Sequence, residues 1–477
     1  MKTSNAMAID GTATDGNAAS TRRALTSLCA AMLLASLGTS IANVGLPTFA
    51  HAFDASFQAV QWIVLAYLLA ITTLIVGVGR LGDMLGRRRV LLVGLALFAL
   101  ASALCGLAGS LPMLIAARVA QGLGAAAMMA LTLAFVADAV PKEKTGSAMG
   151  LLATMSAIGT ALGPSLGGAL LVLSDWRALF FVNVPLGVLT LWLAWRYLPH
   201  DRARPAGART GFDVAGTLVL VLTLAAYALA MTLGRGHFGA LNLLLVAAAG
   251  AGVALFVVVE RRVAAPLIRL EMFRNPVLRT GLVTSMLVMT VIITTLVVGP
   301  FYLSRGLGLD AATLGLVMSC APATVALCGV PCGRLVDRFS AQRMGLLGLG
   351  GMILGCVLLA ALPTRWGVPA YVLPLILIAF HYALFQAANN TAVMKDVSPE
   401  QRGATSGLLN LARNLGLITG ASLMGAVFAF AAHADDIIVG SADAIAGGMR
   451  VTFAVAAVLV GAAFIVAHKG GTRIARA

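Results

Sequence analysis

Long apolar runs separated by short polar connections occupy nearly the whole chain. A helix needs about 20 mostly apolar residues to cross a bilayer, and fourteen runs of roughly that length follow one another along the sequence. They cover residues 24–46, 58–78, 90–109, 112–138, 147–172, 177–197, 213–234, 241–259, 279–302, 311–333, 344–362, 369–394, 403–431 and 449–468. The pattern predicts an all-α integral membrane protein with fourteen transmembrane helices. Because the number is even, both termini should lie on one side of the membrane.

The composition and the placement of charge agree with this pattern. The chain has 477 residues, of which 60% are hydrophobic and 11% charged, whereas about a quarter of a soluble domain is charged. The net charge of +15 could indicate a nucleic-acid partner, but 26 of the 33 Lys and Arg fall in the tails and in alternate loops. By the positive-inside rule those segments are cytoplasmic. We therefore expect a multi-pass protein of the cell inner membrane with both termini in the cytoplasm and no nucleic-acid partner.

The sequence offers no chemistry for an enzyme. The six cysteines all lie in apolar runs without a CxxC pair, so we expect no metal site and no cofactor. No nucleophile elbow, H-E-x-x-H or phosphate-binding loop occurs within the spans. A membrane enzyme is therefore a weak alternative, and the missing phosphate-binding loop speaks against ATP as the energy source.

Part of the apolar pattern repeats within the chain. The glycines of the fifth run align with those of the thirteenth at an offset of 257 residues, as Gly146 and Gly403 illustrate. Two polar loops, 79–89 and 333–343, repeat at an offset of 254. Chance similarity between glycine-rich helices is the alternative, but two nearly equal offsets argue for tandem halves, as in many transporters.

The repeat divides the chain into five segments. We predict a disordered cytoplasmic tail (1–23), a six-helix bundle (24–198), an inserted helix pair with its loops (199–278), a second six-helix bundle (279–468) and a short cytoplasmic tail (469–477).

The first of the two repeated loops reads GRLGDMLGRRR, with Gly79, Asp83, Gly86 and Arg87 at fixed spacing. A cluster of arginines that merely ends a membrane helix would explain the cations but not the Gly, Leu and Asp positions. The spacing resembles the loop signature between helices two and three of the major facilitator superfamily of transporters. That resemblance implies that Asp83 and Arg87 take part in a charge lock, with Asp337 and Arg338 of the second loop as a partial counterpart.

The fifth run contains a second motif. Gly159, Gly163, Pro164, Gly167 and Gly168 form the pattern G-x-x-x-G-P-x-x-G-G. Such glycines give a smooth face for close helix packing, and a proline bends the helix. Ordinary GxxxG packing is one interpretation. The complete pattern resembles the signature of drug–proton antiporters within the superfamily, which would make these residues part of conformational gating.

Two further elements narrow the resemblance. Residues 175–187, with W-R-x-x-F-x-x-N-x-P-x-G, and the inserted helix pair resemble the fourteen-span drug–proton antiporter family. In the fourth run, Arg118 and Gln121 match its R-x-x-Q-G-x-G element, whose arginine is implicated in coupling proton and substrate movement. Since an arginine inside a span must face the bundle interior or reach the surface, we expect Arg118 to face the interior. The second run also resembles this family, in its residues Gln61, Trp62 and Tyr67.

The first run departs from the family pattern. The family usually has an aspartate where this chain has Gly38, whereas Asn43, Val44, Leu46 and Pro47 match. Every Asp and Glu of this chain lies in a tail, in a loop or at a helix end. A cavity that holds the positive charges of Arg118 and of Arg413 in the thirteenth run, but no carboxylate, should prefer neutral or anionic substrates.

The twelfth and thirteenth runs hold the remaining polar candidates for a substrate and proton pathway. These are His381, Tyr382, Gln386, Asn389 and, in the thirteenth run, Arg413. An imidazole exchanges protons near neutral pH, so His381 could supply the titratable site. A structural hydrogen bond between helices is an equally good explanation for this histidine.

Together these patterns predict a secondary transporter that exports small organic molecules. The resemblance implies multidrug efflux with antibiotic resistance, proton antiport and rocker-switch alternating access. A specific exporter or uniporter for neutral or anionic metabolites, without proton coupling, is the alternative. The expected partners are a small-molecule substrate, protons and membrane lipid, and we expect a monomer.

Overall fold

The computed structural model is all-helical over the residues that it describes, namely 5–55, 57–201, 213–232, 239–263, 266–309, 311–363, 366–432 and 442–474. Fourteen helices of this part are long and apolar enough to cross a membrane, as the hydrophobic pattern predicts.

The first bundle consists of α1 (Asn5–Val44), α3 (Phe57–Leu85), α4 (Arg87–Gly106), α5 (Leu111–Ala139), α6 (Thr145–Leu173) and α8 (Asn183–Tyr197), with two short helices, α2 (Leu46–Ala52) and α7 (Ala178–Phe181). The inserted pair is α9 (Val214–Thr232) and α10 (Ala240–Arg262). The second bundle consists of α11 (Pro276–Phe301), α12 (Ala311–Phe339), α13 (Ala341–Ala361), α14 (Val368–Met394), α15 (Arg402–Ala431) and α16 (Ala442–Ile474).

Two details differ from the sequence prediction. Helix α1 begins at Asn5, so most of the expected disordered tail is helical, because adding residues to an existing helix costs far less than nucleating a new one. The sixth run is not continuous but is divided between α7 and α8. Pro185, in the first turn of α8, has no N–H to donate to residue 181, and its ring excludes that carbonyl group.

The two bundles have matching internal contacts. Helix α1 packs along α6 as α11 packs along α15, and α4 packs along α5 as α13 packs along α14. The contacts of α3 with α5 and of α4 with α8 likewise correspond to those of α12 with α14 and of α13 with α16. Helix packing therefore follows an approximate twofold relation between the halves, the architecture of the major facilitator fold.

The interface between the bundles is equally symmetric. Helix α3 packs on α15, and α6 packs on α12. Small residues allow close backbone approach here: a Cβ added to Gly79 would collide with the carbonyl oxygen of Gly403, and one added to Gly150 would collide with that of Gly329.

These close contacts lie toward one end of the molecule. We call this end the terminal face, because the membrane span of α1 begins there and α16 ends there; the other end is the opposite face. Helices α3 and α12 end at the terminal face, where α6 and α15 begin. The bundles are therefore packed together at the terminal face.

The inserted helices lie beside this two-bundle core. They pack against each other, with Asn242 of α10 donating to the carbonyl oxygen of Ala230 at 2.7 Å. Helix α9 also contacts α3 and α15, one from each bundle. Its Tyr227 hydroxyl forms a 2.5 Å hydrogen bond with the hydroxyl of Thr419 on α15. The inserted pair is thus attached through α9 to the junction of the two halves.

Candidate functional site

A cavity of about 1660 Å³ lies between the two bundles. Both bundles contribute to its wall through α1, α3 and α6 on one side and α11, α12, α14 and α15 on the other. Most lining side chains are apolar, and its described wall contains neither a carboxylate nor a histidine. A wall of this kind suits ligands with an apolar body.

The cavity extends from the middle of the spans to the opposite face. Leu46 and Trp62 line it near the opposite-face ends of the first bundle, as do Phe301 and Phe430 in the second. Toward the terminal face the lining stops at mid-helix residues such as Gln386. Together with the tight glycine contacts at the terminal face, this arrangement shows a cavity closed on one side of the membrane and open on the other.

One cationic side chain faces the cavity at its deep end. Arg413 of α15 lines the cavity together with Gln386 and Tyr382 of α14. The Gln386 amide has one orientation in which both its oxygen and its nitrogen find partners. In this orientation the oxygen accepts hydrogen bonds from both terminal nitrogens of Arg413 at 3.0 Å, and the nitrogen donates to the Tyr382 hydroxyl at 3.1 Å. These neutral partners hold the guanidinium in place without cancelling its charge.

The terminal face is closed first by Asp83, which is 2% exposed. Its carboxylate, at the end of α3, accepts hydrogen bonds from the backbone N–H groups of Gly403 and Ala404 of α15, both at 2.9 Å. Arg87 donates to the same carboxylate at 2.9 and 3.1 Å and also donates to the carbonyl oxygen of Pro399. An acid of one bundle thus caps a helix of the other at its positive end.

Asp337 makes the matching contact in the other direction. Located at the end of α12, it accepts from the backbone N–H groups of Gly146 and Ser147 at the start of α6, at 2.7 and 2.9 Å, and from the Ser147 hydroxyl. The Asp337 contact reproduces the Asp83 contact only in part, because Asp337 is only half-buried. Arg338 is exposed and lies over the ring of Phe339 at 5.4 Å. The expectation that Arg338 matches Arg87 is therefore wrong for this conformation.

Arg118 is fully buried inside the first bundle and does not line the cavity. Its Nε donates to the carbonyl oxygen of Ile63 at 2.9 Å, and its Nη1 donates to Gln121 at 2.5 Å. Its guanidinium also lies 4.1 Å from the centroid of the Tyr67 ring. Arg118 therefore faces the bundle interior as predicted, but together with Gln121 and Tyr67 it forms a core network. The expectation that it gives the cavity a second positive charge is wrong.

Gly38 adjoins this core network. Nη1 of Arg118 donates to the Gly38 carbonyl oxygen at 3.2 Å, and a Cβ on Gly38 would lie 3.0 Å from the Tyr67 hydroxyl. A side chain at this position would therefore point toward Tyr67 and Arg118. Within the described residues Nη2 of Arg118 has no partner, which fits the absence of an acid at position 38.

His381 also lies away from the cavity. Its ring packs against Gly351 of α13, and its Nδ1 lies 2.9 Å from the carbonyl oxygen of Leu377. Successive helical residues are about 100° apart, so Tyr382 and Gln386 face the cavity while His381 faces α13. Asn389 binds α11, donating to Gly281 and Ser285 at 3.2 and 2.8 Å. This geometry corrects the prediction that His381 and Asn389 lie on the pathway surface.

The remaining predicted residues have separate locations. Asn43 and Trp62 line the cavity. Gly159, Gly163 and Gly167 pack against α1, whereas a Cβ on Gly168 would meet nothing within 4 Å. The glycine motif therefore serves packing within one bundle in this conformation. The side chains of Gln61 and Pro164 lie outside the described part of the structure.

Gly86 lies at the turn between α3 and α4 with a φ angle of +102°, a conformation that favours glycine. Asp201, which the sequence analysis did not select, accepts from the backbone N–H groups of Arg88 and Arg89 at 2.9 and 3.1 Å. It therefore caps α4 directly after this turn.

Sequence reasoning also missed the contribution of the inserted pair to the cavity. Ala228, Leu229 and Met231 of α9 line it. No signal in an apolar helix distinguishes a cavity-facing leucine from one that faces lipid. Only the contacts of α9 with both bundles place these residues in the wall.

A sequence profile described as the Major Facilitator Superfamily matches residues 28–421. The chain belongs to the Major Facilitator Superfamily. Like other members it is a multi-pass membrane transport protein and not an enzyme, and its cargo is a small molecule.

Relatives in this superfamily include efflux proteins. The chain is 34% identical to Uncharacterized transporter YebQ of Escherichia coli (82% of this chain, 85% of the relative). It is 33% identical to Multidrug resistance protein Stp of Mycobacterium tuberculosis (82% and 73%). The crystal structure of the human organic anion transporter MFSD10 shares its fold, with a TM-score of 0.67, 19% identity and coverage of 94% of this chain and 99% of that one.

The closure contacts generate the first prediction. Asp83→Asn removes the negative charge of the carboxylate that accepts hydrogen bonds from Arg87 and from two backbone N–H groups. Asp337→Asn removes the charge of a half-buried carboxylate that has no arginine partner among the described contacts. We expect both variants to open the terminal face, Asp83→Asn more strongly, since hydrogen bonds to charged groups contribute about 1.5–3 kcal/mol each. Distances between spin labels at exposed Arg89 and Arg343 measure the opening. Equal distances in both variants and the parent protein would contradict this assignment.

The wall formed by α9 generates a second prediction. Leu229→Trp should reduce the space for bulky ligands, so that large substrates bind at least tenfold more weakly while small ones are affected less. Leu222→Trp on the same helix is the matched control, because Leu222 is 61% exposed on the outer surface. Ligand titrations of the purified variants measure the effect. Equal affinities for Leu229→Trp and Leu222→Trp would show that α9 is not part of the binding wall.

Proposed function

We propose that this chain exports small organic molecules from the cytoplasm across the inner membrane by proton antiport and rocker-switch alternating access. The observation that carries the proposal is the cavity of about 1660 Å³, open at the opposite face and closed at the terminal face by two matched acid-to-helix contacts. Similarity to Multidrug resistance protein Stp supports efflux as the direction of transport.

The positive-inside rule supports a cytoplasmic terminal face. The loops at this face carry the clusters Arg87–Arg89 and Arg261–Arg262. On this assignment the structure is outward-facing, the state from which an exporter releases its cargo. Exposed apolar side chains on α8 and α10 contact lipid, and the protein works as a monomer.

Alternating access requires that the contacts at the terminal face break. To open the cytoplasmic side, Asp83 and Asp337 must leave the N-terminal ends of α15 and α6. Water then replaces the protein donors and acceptors, so the net cost is far below the gross hydrogen-bond energy. Such a balance suits a transporter that must occupy both states.

The cavity favours neutral or anionic substrates with apolar bodies. Arg413 supplies one positive charge at the deep end, while no carboxylate of the described wall offers a site for a cation. An arginine fork pairs well with a carboxylate or another planar anion.

The cavity also favours a second candidate, an exporter or uniporter for a neutral or anionic metabolite without proton coupling. Since the described wall contains no Asp, Glu or His, substrate cannot displace a proton from a side chain that it touches there. A drug–proton antiporter would then require a proton site elsewhere in the chain.

A transport assay separates the two candidates. A growth-protection screen of cells expressing the protein first identifies a transported compound. Proteoliposomes then measure its movement against its gradient with an imposed pH difference. Antiport predicts that a protonophore abolishes accumulation, whereas facilitated diffusion is the expected result for a uniporter. Accumulation that persists after collapse of the pH difference, with no membrane voltage, would rule out proton antiport.

Substitution of Arg413 tests the substrate class. Arg413→Gln should weaken binding of an organic monocarboxylate roughly 10- to 100-fold, from about 1.5–3 kcal/mol for a hydrogen bond to a charged group, whereas Arg413→Lys should lose less. Arg450→Gln, at an exposed arginine of α16, is the control. Titration with a fluorescent monocarboxylate and with a permanent dication measures both preferences. High-affinity binding of the dication in the cavity would refute this substrate class.

A further inference from the structure

Two carboxylic acids are buried together in the inserted helix pair, away from the substrate cavity. Asp213 precedes the first residue of α9 and is 6% exposed, and Glu260 lies in the last turn of α10 and is 4% exposed. Both lie near the terminal face. Buried acids are rare unless they are paired with a cation, bound to a metal or protonated.

One oxygen of each carboxyl group has a donor. Asp213 Oδ1 accepts from the backbone N–H of Gly216 at 2.7 Å, and Glu260 Oε2 accepts from the backbone N–H of Ile268 at 3.3 Å. The first contact caps α9, and the second fixes the segment that leads from α10 toward the second bundle.

The other oxygens, Asp213 Oδ2 and Glu260 Oε1, are buried and have no donor within the described structure. Both face the same point beside Gly216. A Cβ added to Gly216 would lie 2.7 Å from Glu260 Oε1 and still closer to Asp213 Oδ2. Two hydrogen-bond acceptors thus face each other, and no described residue supplies a donor between them.

Among the described residues, the charged groups around this pair do not supply that donor. On α10 the next residues, Arg261 and Arg262, are exposed, and on the following segment Arg269, Glu271 and Arg274 are exposed as well. From α3, Gly77 faces Thr217 at the base of α9, and the closest charged position along that helix is Arg80, three residues further on. Asp213 is the one charged residue among the described positions at the start of α9.

A proton resolves this arrangement. Two carboxylates that face each other in a poorly solvated environment repel, so that one of them retains its proton and donates it to the other. We infer that Asp213 and Glu260 hold one proton between them and form a proton-binding site outside the substrate cavity. This inference stands without the proposed transport function, and it supplies the proton site that the cavity wall does not provide.

The site is connected to both moving parts of the fold. Asp213 holds the base of α9, whose other end lines the cavity and whose Tyr227 is hydrogen-bonded to α15. Glu260 holds Ile268 in the connection to α11. Loss of the shared proton leaves two facing negative charges and loosens the contact between α9 and this connection.

Infrared spectroscopy of the full chain in lipid nanodiscs tests the inference directly. A protonated carboxylic acid has a carbonyl stretching band that an ionised carboxylate lacks. At neutral pH we expect this band in the parent protein and its loss in both Asp213→Asn and Glu260→Gln. The amide N–H in each variant replaces the shared proton as donor, which should preserve the fold. Glu271→Gln, an exposed acid in the adjoining segment, is the matched control and should keep the band.

Thermal unfolding at several pH values provides a second readout. The folded pair binds a proton that the two separated acids of the unfolded chain release at neutral pH, so the stability of the parent protein should fall as the pH rises. In Glu260→Gln this part of the pH dependence should disappear. A band of equal intensity in the parent and in both variants, or its absence from the parent, would overturn the inference. Stabilisation by sodium ions in place of protons would also overturn it.

Discussion

The closed state depends on carboxylates that bind the N-terminal ends of helices belonging to the other bundle. The first N–H groups of a helix have no partner within that helix, and the peptide dipoles add positive potential there. Asp83 and Asp337 use this property across the interface, at the start of α15 and of α6. Glycine contacts bring the backbones close enough for such short side chains to reach. Closure therefore requires both the acids and the small residues beside them.

Acids serve the same purpose elsewhere at the terminal face. Asp201 caps α4, and Asp213 caps α9. Asp83, Asp337, Asp201 and Asp213 are thus all bound to helix ends, whereas the described cavity wall holds Arg413 without a carboxylate. The acids that close one side of the protein are therefore not available to bind a cationic ligand in its centre.

Much of the fold was predictable, because span length and loop charge are dictated by the bilayer. The repeat of Gly146 at Gly403 revealed the two halves, and the loop motif identified Asp83 and Asp337. The orientation of single side chains was not predictable to the same degree. His381 and Gln386 are five residues apart on one helix, yet only Gln386 faces the cavity, since which face of an apolar helix packs inward is decided by its neighbours. Arg118 shows the same limit, because a buried cation can lie in a core network or in a pathway.

Helix α9 breaks the symmetry of the two halves, and this has a mechanical consequence. It is hydrogen-bonded to α15 through Tyr227 and Thr419, and it also packs on α3, where Thr217 faces Gly77. In the rocker-switch motion that we propose, the two bundles move relative to each other, so α9 has to exchange contacts with at least one of them. One flank of the cavity is therefore lined by a helix that belongs to neither bundle, whereas the flank between α6 and α12 is formed by the bundles themselves.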